Sequence, residues 1–336
     1  MNADYDMTLR HPPISRGFTL IEFLVVVTII SLLAAILFPT LARAREVARS
    51  LRCASHLNAV GRSLFFYADH YNESFPATVY YKGLSFSNNM QYPELPTQGY
   101  VHFSRLLTRM GFVGDEAFLC PAFDRGGLPP ANSTTNNLEA GQVNETSNVI
   151  DEQVSRCAFT LNAAVFPASI FREGFNDATR PYRFVRSSRI ENMSNTILAT
   201  EWNTNWQITV PPGSRVSYSH SPIHGFACNG KTKTDDRYEV TTAGISTSCY
   251  GALRRIATTE LADNPDPNDK GKLFWLRLNR IGRNHGSQTE RRNNRQSNFF
   301  YADGHVETKS VYKTVEHYEW GDEFYSLVPG NDIYPN

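Results

Sequence analysis

The chain has 336 residues, with 33 Lys+Arg balanced by 33 Asp+Glu, a 41% hydrophobic share and 12% aromatics. That apolar content excludes wholesale disorder, and zero formal charge argues against a dedicated nucleic-acid binder, whose phosphate contacts need a basic surplus. A mean hydropathy below zero excludes a multi-spanning membrane protein but not a single span, which such an average hides.

The first element is that span. Phe18 to Phe38 reads FTLIEFLVVVTIISLLAAILF, in which Glu22 alone is ionisable and fifteen residues are Leu, Ile, Val or Phe. As a helix it covers about 30 Å, the thickness of a bilayer's hydrocarbon core. Its apolar side chains supply about -5 to -9 kcal/mol for insertion, against roughly 3 kcal/mol for a centrally placed carboxylate. Glu22 lies near one end and costs less. A secretory signal peptide cut after Ala42-Arg43-Ala44 is one reading, and an uncut anchor is another.

The residues before the span carry a third. Ser15-Arg16-Gly17, followed by Phe18-Thr19-Leu20-Ile21-Glu22 and by Pro39 at the twenty-second position after Gly17, resembles the prepilin (class III) signal. The resemblance implies that a prepilin peptidase cuts after Gly17 on the cytoplasmic side and N-methylates Phe18, leaving the helix in the mature protein. It further implies that Glu22 pairs with the freed α-amino group, in its own chain or in a neighbouring subunit where the pair sets filament register. Arg43, Arg45, Arg49 and Arg52 beyond the span outnumber Arg10 and Arg16 before it, which by the positive-inside rule points the body inward. The cleavage reading requires the opposite, because the peptidase must meet Gly17 from the cytoplasm.

Apolar residues at steps of three and four (Leu41, Ala44, Val47, Leu51, Ala54, Leu57, Val60, Leu64, Ala68, Tyr71) predict that the helix continues as an amphipathic one. Phe75-Pro76 should end it, and Pro39 should kink it. Residues 129–150 and the Asp263–Gly271 cluster read as loops. Candidate strands are Thr196–Trp202, Gln207–Val210, Arg215–Tyr218 and Tyr238–Thr242, and Asp303-Gly304 predicts a type I′ hairpin turn.

Taken together, Cys53, Asn58, Gly61, Tyr67-Ala68-Asp69, Phe75-Pro76, Leu119-Cys120-Pro121 and the Phe300–Val306 hairpin resemble a large prepilin-type bacterial family. That family's C-terminal processing-associated domain is named for a His, nine residues and then Asp-Gly. Here His285 would be that histidine, with seventeen residues between it and Asp303-Gly304. The expected architecture is a pilin-like α+β fold: leader 1–17, transmembrane half-helix 18–38, amphipathic half-helix 39–74, and an α+β domain with an antiparallel sheet over 75–336.

Five cysteines permit fifteen ways of forming two bonds with one thiol left over. The economical pairing is Cys120–Cys157 and Cys228–Cys249, leaving Cys53 single, and free buried thiols are the alternative. His220 and His224 are separated by Pro222, which forbids a zinc-binding helix there. His285, Asp303 and His305 could converge on a metal, and Asp263, Asp266 and Asp269 on calcium, although an EF-hand order is absent. Arg277, Arg280, Arg283, Arg291, Arg292 and Arg295 form a basic run, read as a solvated face or a polyanion site. Nothing resembles a catalytic triad.

These features lead to the expectation of a non-enzymatic structural subunit of a type IV pilus or a type II secretion-like pseudopilus. It would be anchored by one span in the bacterial inner membrane, with its body in the periplasm or on a filament. The expected partners are the prepilin peptidase/methyltransferase, other pilin-like subunits, the assembly platform and the lipid bilayer. No nucleic acid and no cofactor beyond a structural calcium ion are expected. The alternatives are a membrane-anchored module that binds a glycan or an envelope protein, and an envelope hydrolase or metalloenzyme built on His285, Asp303 and His305.

Overall fold

In the computed structural model the described residues are 19–81, 99–132, 138–139, 141–142, 150–167, 184–210, 219–229, 236–242, 245–250, 252–269, 276–286, 295–326 and 333–334. Gly17, Phe18, Arg291 and Arg292 lie outside them, as does the candidate strand Arg215–Tyr218. The chain divides into two units, Met1–Arg45 and Glu46–Asn336.

Helix α1 runs from Leu20 to His70 and passes through Pro39 without interruption. The proline's missing N–H removes one hydrogen bond, and the turns on either side stay helical. In the first unit the helix is apolar all round, and no residue of Thr19–Leu33 is buried. In the second unit one face is buried: Cys53, Leu57, Val60, Gly61, Leu64, Tyr67 and Ala68 enter the core. The predicted stripe therefore holds from Leu57 onward, while Leu41, Val47 and Leu51 remain exposed. The helix stops at His70, before the predicted Phe75-Pro76, because Asn72 and Glu73 take positive φ.

The body is α+β, as expected of a pilin-like arrangement. Strands β1 (Val79–Tyr81), β2 (Gly99–His102) and β3 (Ile150–Glu152) form one sheet. Helix α2 (Phe103–Arg109) follows β2 directly. The central sheet is antiparallel, in the order β11 (Val306–Ser310), β10 (Gln296–Tyr301), β5 (Ile197–Glu201), β4 (Phe159–Leu161). All five residues of β5 are buried, as a strand covered on both faces requires. β6 (Phe226–Asn229), β9 (Ala252–Arg255) and β12 (Ile333–Tyr334) make a third sheet, and β7 (Asp236–Thr242) with β8 (Ile245–Tyr250) a hairpin. Helix α3 (Val311–Glu316) follows β11. The expected antiparallel sheet is the central one, and two pairs in the smaller sheets, β2/β3 and β9/β12, are parallel.

Thr196–Trp202 and Tyr238–Thr242 are met by β5 and β7, but Trp206–Thr209 is a 3-10 turn rather than a strand. Its start is set by Asn205, whose side chain accepts the Gln207 N–H. The β10–β11 turn also differs from type I′. Only Gly304 has positive φ (92°), and the Gly304 N–H donates to Tyr301 O, giving a type I turn followed by a left-handed glycine.

Helix α1 and this hairpin are fitted closely. Gly61 lies under the Phe300 ring, and a Cβ there would fall 2.3 Å from it. Asn58 Nδ2 donates to Gly304 O at 3.3 Å, and His56 Nδ1 lies 2.7 Å from Leu119 O.

Candidate functional site

At the N-terminal end, Thr19 and Glu22 form a reciprocal cap. Glu22 Oε2 accepts from the Thr19 N–H at 2.8 Å and from the Thr19 hydroxyl at 2.7 Å, and the Glu22 N–H donates back to Thr19 Oγ1 at 3.3 Å. This is a Thr-x-x-Glu capping box, which ties up amide groups that the first helical turn leaves without partners. Thr19 and Glu22 carry this pattern in the sequence itself, independently of the charge on Glu22. Beyond it stand Leu20, Phe23, Leu24, Ile29, Ile30, Leu33 and Phe38, all more than half exposed. The helix is long and apolar enough to cross a membrane. An apolar surface of this extent marks contact with lipid or protein.

A second cluster lies inside the body, where five elements meet. The Glu201 carboxylate, at the end of β5, is fully buried and lies 2.9–3.0 Å from His285 Nε2. It accepts from Asn298 Nδ2 at 2.8 Å and from the Ser297 hydroxyl at 3.3 Å, both on β10. His285 is held by a backbone bridge to Gln296, its N–H donating at 3.0 Å and its carbonyl accepting at 2.8 Å. Asn298 is held in turn by Thr308 and Thr200. Beside the carboxylate lies a disulfide between Cys53 of α1 and Cys120, with Cα atoms 4.8 Å apart and Cys120 Sγ 3.9 Å from Glu201 Oε1.

This corrects the pairing read from spacing. Cys120 bonds Cys53, and Cys157 is a free buried thiol that donates to Phe159 O at 3.2 Å. Burial pushes that thiol up to about 12. Proximity in sequence misled here: Cys53 is 67 residues from Cys120, yet α1 and the segment after the 3-10 turn Asp115–Phe118 pack together. The side chains of Cys228 and Cys249 are outside the description, so that second pairing is too.

His285, Asp303 and His305 do not converge. His285 is buried beside Glu201, whereas Asp303 and His305 pair with each other at 2.5 Å on the exposed hairpin turn. Asp263 and Asp266 have separate partners, and the Asp269 N–H donates to Asp266 O. Asp263 accepts from Tyr312, and Asp266 from the Asn268 N–H and side chain. The first three residues of the arginine run are not on a solvated face. Arg277, Arg280 and Arg283 are buried, with Arg277 donating to Pro222 O and Arg283 to Ile281 O and Ala262 O. Burial lowers Arg283 to about 10.

A third polar group surrounds β2. His102 is buried, with Nδ1 2.8 Å from Ser104 Oγ, and the Tyr100 ring lies 4.6 Å from that of His220. Burial and then the His220 charge hold His102 well below the usual imidazole range. Burial and then Arg277 push His220 down to about 4, and the same two causes depress His224.

Comparison with known proteins adds one match: residues 14–38 fit the family model described as a prokaryotic N-terminal methylation motif. No curated protein and no solved structure matches the chain.

Proposed function

We propose that the chain is a prepilin-like structural subunit. It is cut after Gly17, methylated on Phe18, and assembled through α1 into a type IV pilus or a type II secretion-like pseudopilus. The observation that carries this reading is the methylation motif over 14–38 coinciding with a helix that is exposed and apolar on all sides. A prepilin motif implies processing by a prepilin peptidase. The enzyme's cytoplasmic action places the body in the periplasm or on a filament, against the arginine count, and the assembly platform and other pilin-like subunits are its remaining partners. The role is mechanical rather than catalytic.

The capping box sharpens the assignment of Glu22. Gln can serve as the capping-box acceptor but carries no charge to pair with an α-amino group. Glu22→Gln should therefore leave membrane insertion intact and abolish recovery of the protein in sheared filaments, and Glu22→Ala should do the same. Wild-type recovery of the Gln variant would reduce Glu22 to a helix cap and remove the register role. Intact mass and N-terminal sequencing of the protein from its host test the processing. Methyl-Phe18 supports the reading, whereas a start near Arg45 or a retained leader overturns it.

A further inference from the structure

The buried cluster in the body has a composition that a disulfide alone does not explain. One ligand atom each from Cys53, Cys120, Glu201 and His285 lies within 4.8 Å of the others, and all four residues are buried. Two sulfurs, an imidazole nitrogen and a carboxylate oxygen make a donor set suited to zinc, and the sulfurs disfavour magnesium and calcium. Among the described residues, no lysine or arginine reaches Glu201; its polar partners are His285, Ser297 and Asn298. A buried carboxylate needs a cation or a full set of hydrogen bonds, and the ionisable side chain beside Glu201 is His285. A disulfide sulfur has no proton to donate, so Cys120 Sγ presents only lone pairs to Glu201 Oε1. His285 Nδ1 is buried without a hydrogen-bond partner among the described residues. With Nδ1 unpartnered, Nε2 carries the proton and donates to the Glu201 carboxylate while the disulfide is intact. Transfer of that proton to Nδ1 or to solvent frees the Nε2 lone pair for a metal.

We propose that Cys53, Cys120, Glu201 and His285 form a site for a divalent zinc-class metal, opened when a dithiol reduces the Cys53–Cys120 bond. A thiolate of the dithiol attacks one cysteine sulfur and breaks the S–S bond. The reagent's second thiolate then closes on the first, so the dithiol leaves as a cyclic disulfide and two electrons pass to the protein. The two cysteine thiols release their protons to solvent as they take the metal. Two thiolates, one carboxylate and a dication leave one net negative charge, which faces the Asn298 amide and the Ser297 hydroxyl. The body thus has two alternative cross-links between α1 and the segment bearing Cys120, a disulfide when oxidised and a metal when reduced.

The test uses the full chain in detergent micelles, oxidised or reduced by a dithiol that is then removed anaerobically, and titrated with Co2+. The reduced protein should take one equivalent with a thiolate-to-cobalt charge-transfer band that Zn2+ abolishes, and the oxidised protein should show no such band. Glu201→Gln and His285→Asn should each weaken binding tenfold or more, in line with losses at other metal sites. A Cys157→Ser, Cys228→Ser, Cys249→Ser triple variant should keep both band and stoichiometry, since its remaining thiols are those of the site. Circular dichroism before metal addition monitors the fold. Equal uptake in both redox states, no uptake after reduction, loss of fold on reduction alone, or undiminished binding by Glu201→Gln would each overturn the proposal. None of these outcomes depends on filament assembly.

Discussion

Glu201 and Gly61 show how single side chains set the body's interior. Glu201 ends a strand that reads as apolar β-structure, and nothing in Ile197-Leu198-Ala199-Thr200-Glu201 reveals that its carboxylate turns inward to His285 and Asn298. Gly61 lies on a helix face where alanine would ordinarily be preferred, yet Phe300 occupies the space that a methyl group would need. Gly61→Ala is expected to destabilise the folded unit by about 1–3 kcal/mol through overpacking. Denaturant unfolding reads this loss, and Phe300→Leu in the same chain should recover part of it. The depressed histidines give a pH signature. Unfolded imidazoles bind protons below about pH 6.5, whereas folded His220 does so only near 4, and His102 and His224 are also shifted down. Their contribution to stability is thus complete above about pH 6.5 and lost as pH falls from there through the folded values, because the unfolded chain binds more protons in that window. Unfolding midpoints should decline across it, and His224→Gln should shallow the decline.

Among the elements, α1 was the most legible because its signals are local: an uninterrupted apolar run, then a stripe at helical spacing. The stripe starts at Leu41 in the sequence, but burial starts at Cys53. Periodicity records which residues share a face, not whether anything covers it. The hairpin followed the same logic. Asp303-Gly304 marked the reversal, yet the turn type depended on Gly304 alone taking positive φ, while the Asp303 carboxylate turned to His305. The Cys53–Cys120 link closes a loop with a sequence separation of 67, for which chain-entropy arguments give about 4 kcal/mol. Replacing both cysteines with serine should lower the unfolding free energy of the oxidised protein by about that amount. Cys157→Ser leaves this loop closed and should not reproduce that loss; equal effects of the two changes would refute the structural role of the link.

For the molecule as a whole, the division at Arg45/Glu46 agrees with where its apolar surface lies. The contiguous exposed large hydrophobics belong to the first unit, and the second holds the buried core. A chain beginning at Glu46 is therefore expected to fold without detergent and to form the Cys53–Cys120 bond, as sedimentation and thiol titration would report. Aggregation of that fragment with both thiols free would contradict it. The methylation motif and a helix long and apolar enough to cross a membrane were readable near the N-terminus because they rest on composition, length and contiguous spacing, which require no partner from elsewhere in the chain. The choice of Cys53 for Cys120, the burial of Arg277, Arg280 and Arg283, and the meeting of Glu201 with His285 were decided only by packing. Each joins segments distant in sequence, and a linear pattern shows which side chains are available for such contacts but not which of them the fold brings within bonding distance.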